Sequence, residues 1–164
     1  MKRNYERMID TLLGVMFACL LFGFAKSICF LDYQKAYFDP SNASFAKVLF
    51  ENDGYLIAFS TISIFLCILY AILDFFVLKH SKFLQFLIGL LLLGISAYLF
   101  ILLCGLRNLA FNTDNSLAAI SFSLYKEYRS FSLEIIVSQF LISLHALLRS
   151  LFTFFRLQKK GTEK

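Results

Sequence analysis

The sequence predicts an all-α integral membrane protein, with four transmembrane helices in an antiparallel bundle and both termini in the cytoplasm. Three observations predict it. The chain of 164 residues is 59% hydrophobic with a mean hydropathy of +0.72, against about 45–50% apolar in an ordinary soluble domain. The excess is gathered into four blocks, 8–31, 55–78, 83–106 and 133–157, each longer than the roughly 20 residues a helix needs to cross a hydrocarbon core of about 30 Å. Finally, the second and third blocks are joined by only Lys79-His80-Ser81-Lys82, a length suited to linking two adjacent helices that run in opposite directions.

The remaining segments, outer loops at 32–54 and 107–132, are too short to be soluble domains, so one membrane domain spanning 1–164 is expected. Charge sets the orientation. Lys2, Arg3 and Arg7 precede the first span, Lys79 and Lys82 flank the hairpin link, and Arg156, Lys159, Lys160 and Lys164 follow the fourth. Loop one instead carries Asp32, Asp39, Glu51 and Asp53 against Lys35 and Lys47. The excess of basic residues marks the cytoplasmic side, and the expected location is a bacterial inner or plasma membrane. A net charge of +5 spread this way argues against nucleic-acid binding.

The first block begins after basic residues, as a signal peptide would, but it is too long for a usual apolar core and no small-x-small cleavage site follows. It reads as the first span, with Asp10 at its inner end, Lys26 at its outer end and a Gly14/Ala18 pair that lets another helix approach. In loop one, Asp39-Pro40-Ser41-Asn42 is a turn signal, and 43–50 reads as a short helix on the membrane surface. Asn42-Ala43-Ser44 is a glycosylation sequon, relevant only in a eukaryotic source. In the second span, Ser60, Ser63, Cys67, Ala71 and Asp74 recur at helical spacing, a small and polar stripe of the kind that packs helices together. The third span is almost wholly Leu, Ile and Phe. Asn112-Thr113-Asp114-Asn115 is a turn, and 116–129 has the spacing of a helix lying on the membrane.

The fourth span is the most polar. Glu134, Ser138, His145, Arg149 and Arg156 share a face beside Gln139, and the cost of charge at mid-bilayer turns that face into the bundle. Counting about 1.5 Å per residue places Asp10, Asp74 and Arg149 in the inner half, Lys26, Arg107 and Glu134 near the outer face, and His145 between. The sharpest expectation is an Asp74–Arg149 ion pair with Asp10 as the rival partner. An outer cluster would join Glu134 to Lys26 or Arg107. These groups either relay protons or ions, or simply hold helix register; the second reading weighs more, because an interior histidine is more often a bonded structural group than a relay.

Aromatic and sulfur residues bear on chemistry mainly by exclusion. With 21 Phe and no Trp, the interfacial belt falls to tyrosines at predicted helix ends, Tyr5, Tyr33, Tyr37, Tyr55, Tyr125 and Tyr128. Cys19, Cys29, Cys67 and Cys104 form no Cys-x-x-Cys pair and read as small packing residues. Cys29 and Cys104 both fall near the outer face, where a disulfide is the lesser reading, since spacing says nothing of geometry. Four-span disulfide-forming quinone reductases need an outer Cys-x-x-Cys pair, and loop one has no cysteine. Small multidrug exporters use an acid deep in the first span, whereas Asp10 is at its edge. His80 and His145 do not suit a shared haem, and no zinc spacing, phosphate loop or nucleophile elbow is present. No cofactor or metal is therefore expected.

The residues Arg107-Asn108-Leu109-Ala110-Phe111-Asn112-Thr113 resemble the same region of four-span immunity proteins, which protect bacteria from pore-forming colicins. Size and topology agree, and the rest of the chain carries no matching motif. The resemblance implies binding of a toxin's helical hairpin within the bilayer. The functional expectation is a non-enzymatic accessory or interaction subunit that binds another membrane protein, with immunity as one specific form. The alternative is a small transporter or channel subunit using Asp74, His145 and Arg149, in which case a homo-oligomer is expected; an enzyme ranks third.

Overall fold

The computed structural model describes residues 2–37, 43–75, 81–111 and 118–161, with side chains for residue 9 and for 11–30, 47–74, 82–108 and 124–152. All of them are helical: α1 (Lys2–Tyr37), α2 (Ala43–Phe75), α3 (Ser81–Phe111) and α4 (Ala118–Gly161). Each contains a stretch long and apolar enough to cross a membrane: Thr11–Phe30, Lys47–Asp74, Lys82–Asn108 and Leu124–Phe152. Large apolar side chains such as Phe65, Phe83, Ile101 and Phe152 stand on the outside. In water such a surface would drive association; around a multi-pass membrane protein it faces lipid.

The helices begin earlier than their hydropathy blocks. Loops were expected at 32–54 and 107–132, and surface helices at 43–50 and 116–129. Instead α2 runs unbroken from Ala43 and α4 from Ala118. Side-chain packing explains the difference. Leu49, Asp53 and Leu56 lie on one face of α2 and are buried, as are Tyr125, Tyr128, Phe131 and Ser132 on α4. Polar residues between them lower the average hydropathy but occupy the opposite face. Tyr125 and Tyr128 are thus core residues and not part of an interfacial belt. Phe30 packs against Tyr128 and Phe131 at ring-centroid distances of 6.2 and 5.2 Å. Tyr55 is exposed, while the side chains of Tyr5, Tyr33 and Tyr37 lie outside the described residues, as do both turn tetrapeptides and Asn42 of the sequon, whose Ala43 and Ser44 open α2.

α4 is the central post. Half of its apolar window (50%) is buried, against 17% for α1, and it touches all three other helices, α3 most extensively. Among the described residues α1 and α3 do not meet, so α2 and α4 approach across the diagonal of the bundle. Two glycines make the close approaches. A Cβ added at Gly23 would fall 2.8 Å from Ile135 Cγ1 and 3.2 Å from the Phe131 carbonyl oxygen. One at Gly89 would fall 2.9 Å from Leu147 Cγ. Buried hydroxyls mostly donate to their own helix, as in Ser63 to Phe59, Ser132 to Tyr128, Ser143 to Phe140 and Ser150 to Ala146, which satisfies the donor where no water competes. All four cysteines are free. Cys29 and Cys104 are exposed thiols, which corrects the disulfide reading, and Cys67 is buried.

Candidate functional site

The polar residues gather in two layers and one buried line between them. In the layer beside the α2–α3 link Arg149 Nη1 of α4 lies 2.6 Å from Asp74 Oδ2 of α2. Gln85 of α3 donates from Nε2 to Asp74 Oδ1 at 3.4 Å, and Lys82 Nζ donates to Gln85 Oε1 at 3.0 Å. One carboxylate therefore ties three helices together beside the α2–α3 link. Helix phase produces this. Lys82 and Gln85 are one turn apart at the start of α3, so both reach the same side. Gln85 is fully buried, and its amide can bridge because it donates on one side and accepts on the other. The expected hairpin link extended to Lys82, but α3 begins at Ser81. The side chains of Asp10 and Arg156, and all of His80, lie outside the described residues.

Next to this layer, Tyr70 Oη and His145 Nδ1 are 2.9 Å apart, with their rings edge to face. Tyr70 is buried and His145 half-buried. A groove of about 480 Å³ runs alongside between α1 and α2, lined by Gly14, Phe17, Cys67, Tyr70, Ala71 and Asp74 among others. Ser60, Ser63 and Cys67 are buried. Ala71 is exposed to the groove, so the position is not part of the packed stripe; Tyr70 occupies that phase instead. Tyr70→Phe is expected to lower stability by about 1 kcal/mol, the net worth of one hydrogen bond, measured by thermal unfolding in detergent.

In the layer at the opposite end of the bundle Lys26 Nζ donates to both carboxylate oxygens of Glu134, at 2.9 and 3.2 Å, and lies 4.3 Å from the centre of the Phe22 ring. Arg107 is exposed on α3 and is not the residue that pairs with Glu134. Both members of the Lys26–Glu134 pair are more than a third exposed. Lys26→Ala should therefore cost no more than about 1 kcal/mol; a larger loss of melting temperature than Tyr70→Phe produces would contradict this.

Asp53 falls in the loop that hydropathy predicts at 32–54. It is fully buried, and Ser27 Oγ of α1 donates to its Oδ1 at 2.6 Å. The neighbouring Asn52 carbonyl accepts from Tyr128 Oη at 3.3 Å. The signal was present in the helical phase: Asp53 precedes Ser60 by seven residues, two turns, so the Ser60–Asp74 stripe extends back to it. Loop composition concealed that continuity.

These features define a multi-pass four-helix membrane protein with a polar diagonal between α2 and α4. No protein-family model matches the chain, and no curated protein or solved structure matches it either.

Proposed function

We propose that this protein is a non-enzymatic interaction subunit of a bacterial inner or plasma membrane, binding another membrane protein within the bilayer. Its helices form an antiparallel bundle with both termini cytoplasmic. The basic flanks support that orientation. The alternating direction is supported by the order of contacts, Phe59 with Tyr98 but Asp74 with Gln85, and Asn52 with Tyr128 but Asp74 with Arg149.

The observation that carries the interaction reading is the unequal use of glycine. Gly23 and Gly89 are spent on contacts within the chain, whereas Gly14, Gly54, Gly94 and Gly105 have nothing among the described residues within 4 Å of an added Cβ. Glycine costs a helix about 1 kcal/mol relative to alanine, and within the chain these positions return no close packing. Gly94 and Gly105, eleven residues apart, fall on one face of α3 together with exposed Ala97 and Ile101, and small residues on a membrane helix admit a second helix closely. The immunity form of this reading, capture of a toxin hairpin, rests on residues 107–113 alone.

The test is purification in native nanodiscs followed by mass spectrometry, with Gly94→Leu beside the unaltered protein. A stoichiometric membrane-protein partner, lost in a variant that melts normally, is the expected result. A second copy of the chain in that role would make the protein a homo-oligomer. A monomer carrying no other protein would overturn the reading.

A further inference from the structure

Four buried polar atoms are left over by the networks described above. Asp53 Oδ2, Ser60 Oγ and both amide atoms of Gln139 have no hydrogen-bond partner among the described residues, and all three side chains are fully buried. Ser60 stands out because its buried neighbour Ser63 satisfies its hydroxyl on its own helix. Polar atoms held away from both protein partners and solvent are expensive, and buried water is their usual complement where several converge.

These atoms are not scattered. Asp53, Ser60, Ser63, Cys67, Tyr70 and Asp74 succeed one another at steps of seven, three, four, three and four residues along one face of α2. The contacts Asn52–Tyr128, Tyr70–His145 and Asp74–Arg149 fix the register of α4 against that face, and the same register sets Gln139 opposite Ser63. From Asp53 to Tyr70 the line covers about 26 Å at 1.5 Å per residue, most of the thickness of a hydrocarbon core of about 30 Å. Its outer end is a carboxylate held by Ser27. Its inner end is the Tyr70–His145 pair, and Tyr70 lines the α1–α2 groove.

We propose that the α2–α4 seam holds a file of water from Asp53 to the Tyr70–His145 pair and passes protons across the membrane. Asp53 takes a proton from the outer side on its carboxylate and gives one to the water beside Ser60 and Gln139. At the inner end Tyr70 accepts a proton from water while donating its own to Nδ1 of His145, and His145 releases one from Nε2 to the inner side. Each step moves one proton in and one out, and no other bond changes. Among the described residues Tyr128 of α4 is the titratable group that acts on Asp53, and Ser27 of α1 donates to its Oδ1. The charged groups around the inner end are Asp74 and Arg149. The proposal needs only one copy of the chain and is independent of the docking reading.

The test uses the full chain in vesicles of phosphatidylcholine and phosphatidylglycerol, with a potassium gradient, valinomycin and an internal pH dye. The unaltered protein should carry protons at least tenfold faster than protein-free vesicles. Gln139→Leu and Asp53→Asn should return the rate to the protein-free level, while Tyr98→Phe, on α3 and off the seam, should leave it unchanged. Ser60→Ala removes one hydroxyl without adding volume and should slow the rate at least threefold in a protein that melts normally. Unaltered protein no faster than empty vesicles would overturn the proposal. So would an unchanged rate in folded Ser60→Ala, or in either of the other two seam variants.

Discussion

Asp74→Ala is expected to lower stability by about 3 kcal/mol and to reduce the amount of protein in the membrane. The substitution removes the acceptor shared by Arg149 and Gln85. Breaking a buried ion pair by deleting one partner costs about 3–5 kcal/mol, because the remaining charge stays in a poor solvent. Partial exposure of Arg149 places the effect at the lower end. Asp74→Asn should be milder, since a side-chain carbonyl still accepts from Gln85. The pair Asp74→Ala with Arg149→Leu should recover part of the loss, because no charge is then left behind. Thermal unfolding of the three variants checks this, and equal melting of Asp74→Ala and the unaltered protein would show that the inner network holds nothing together.

Gly23→Leu is expected to be about as damaging, at about 3 kcal/mol, the upper end for forcing extra carbon into a packed interface. Its first side-chain atom already meets Ile135 and the Phe131 carbonyl. The carbonyl belongs to the α4 backbone, so relief requires α1 and α4 to separate, which strains the Lys26–Glu134 and Ser27–Asp53 contacts one turn further along. Gly14→Leu is the contrast. Nothing among the described residues lies within 4 Å of its Cβ, and leucine is the better helix former by about 0.8 kcal/mol. In the isolated protein it should leave the melting temperature unchanged or raise it, and a loss comparable to that of Gly23→Leu would show that α1 packs closer at its inner half.

Much of the polar arrangement was legible because it follows from helical phase. Asp74 and Arg149 could be named together since each sits on the polar face of its own helix at similar depth. Lys26 and Glu134 were legible for the same reason, although depth alone left Arg107 as an equal candidate. Only the positions of the helices decided that α1, and not α3, presents the cation to Glu134. Tyr70 was missed because an aromatic residue in an apolar span carries no polar signal until its hydroxyl is seen beside His145. Ala71, one residue away, fits the stripe's period equally well, and only its exposure separates it from Tyr70.

The ends of the spans show where hydropathy fails. A window average counts every residue equally, so Glu51, Asn52 and Asp53 read as loop, and Lys126, Glu127 and Arg129 made the start of α4 read as surface. In the folded chain Leu49, Asp53 and Leu56 turn inward together while Glu51 stays outside. Tyr128 and Phe131 do the same on α4 while Arg129 and Ser130 are exposed.

The sequence by itself determined that the chain is helical, that it carries four helices long and apolar enough to cross a membrane, and which face of each polar span turns inward. Those properties are local: they depend on run length, composition and a period of 3.6 residues. The tertiary structure decided which inward faces meet. Contact across the α2–α4 diagonal and the close approach at Gly23 depend on distances between segments up to about a hundred residues apart, and no local pattern encodes them. That is why the ion pairs were nearly readable in advance, while the burial of Asp53 and the unpartnered line through Ser60 and Gln139 emerged only once the helices were packed.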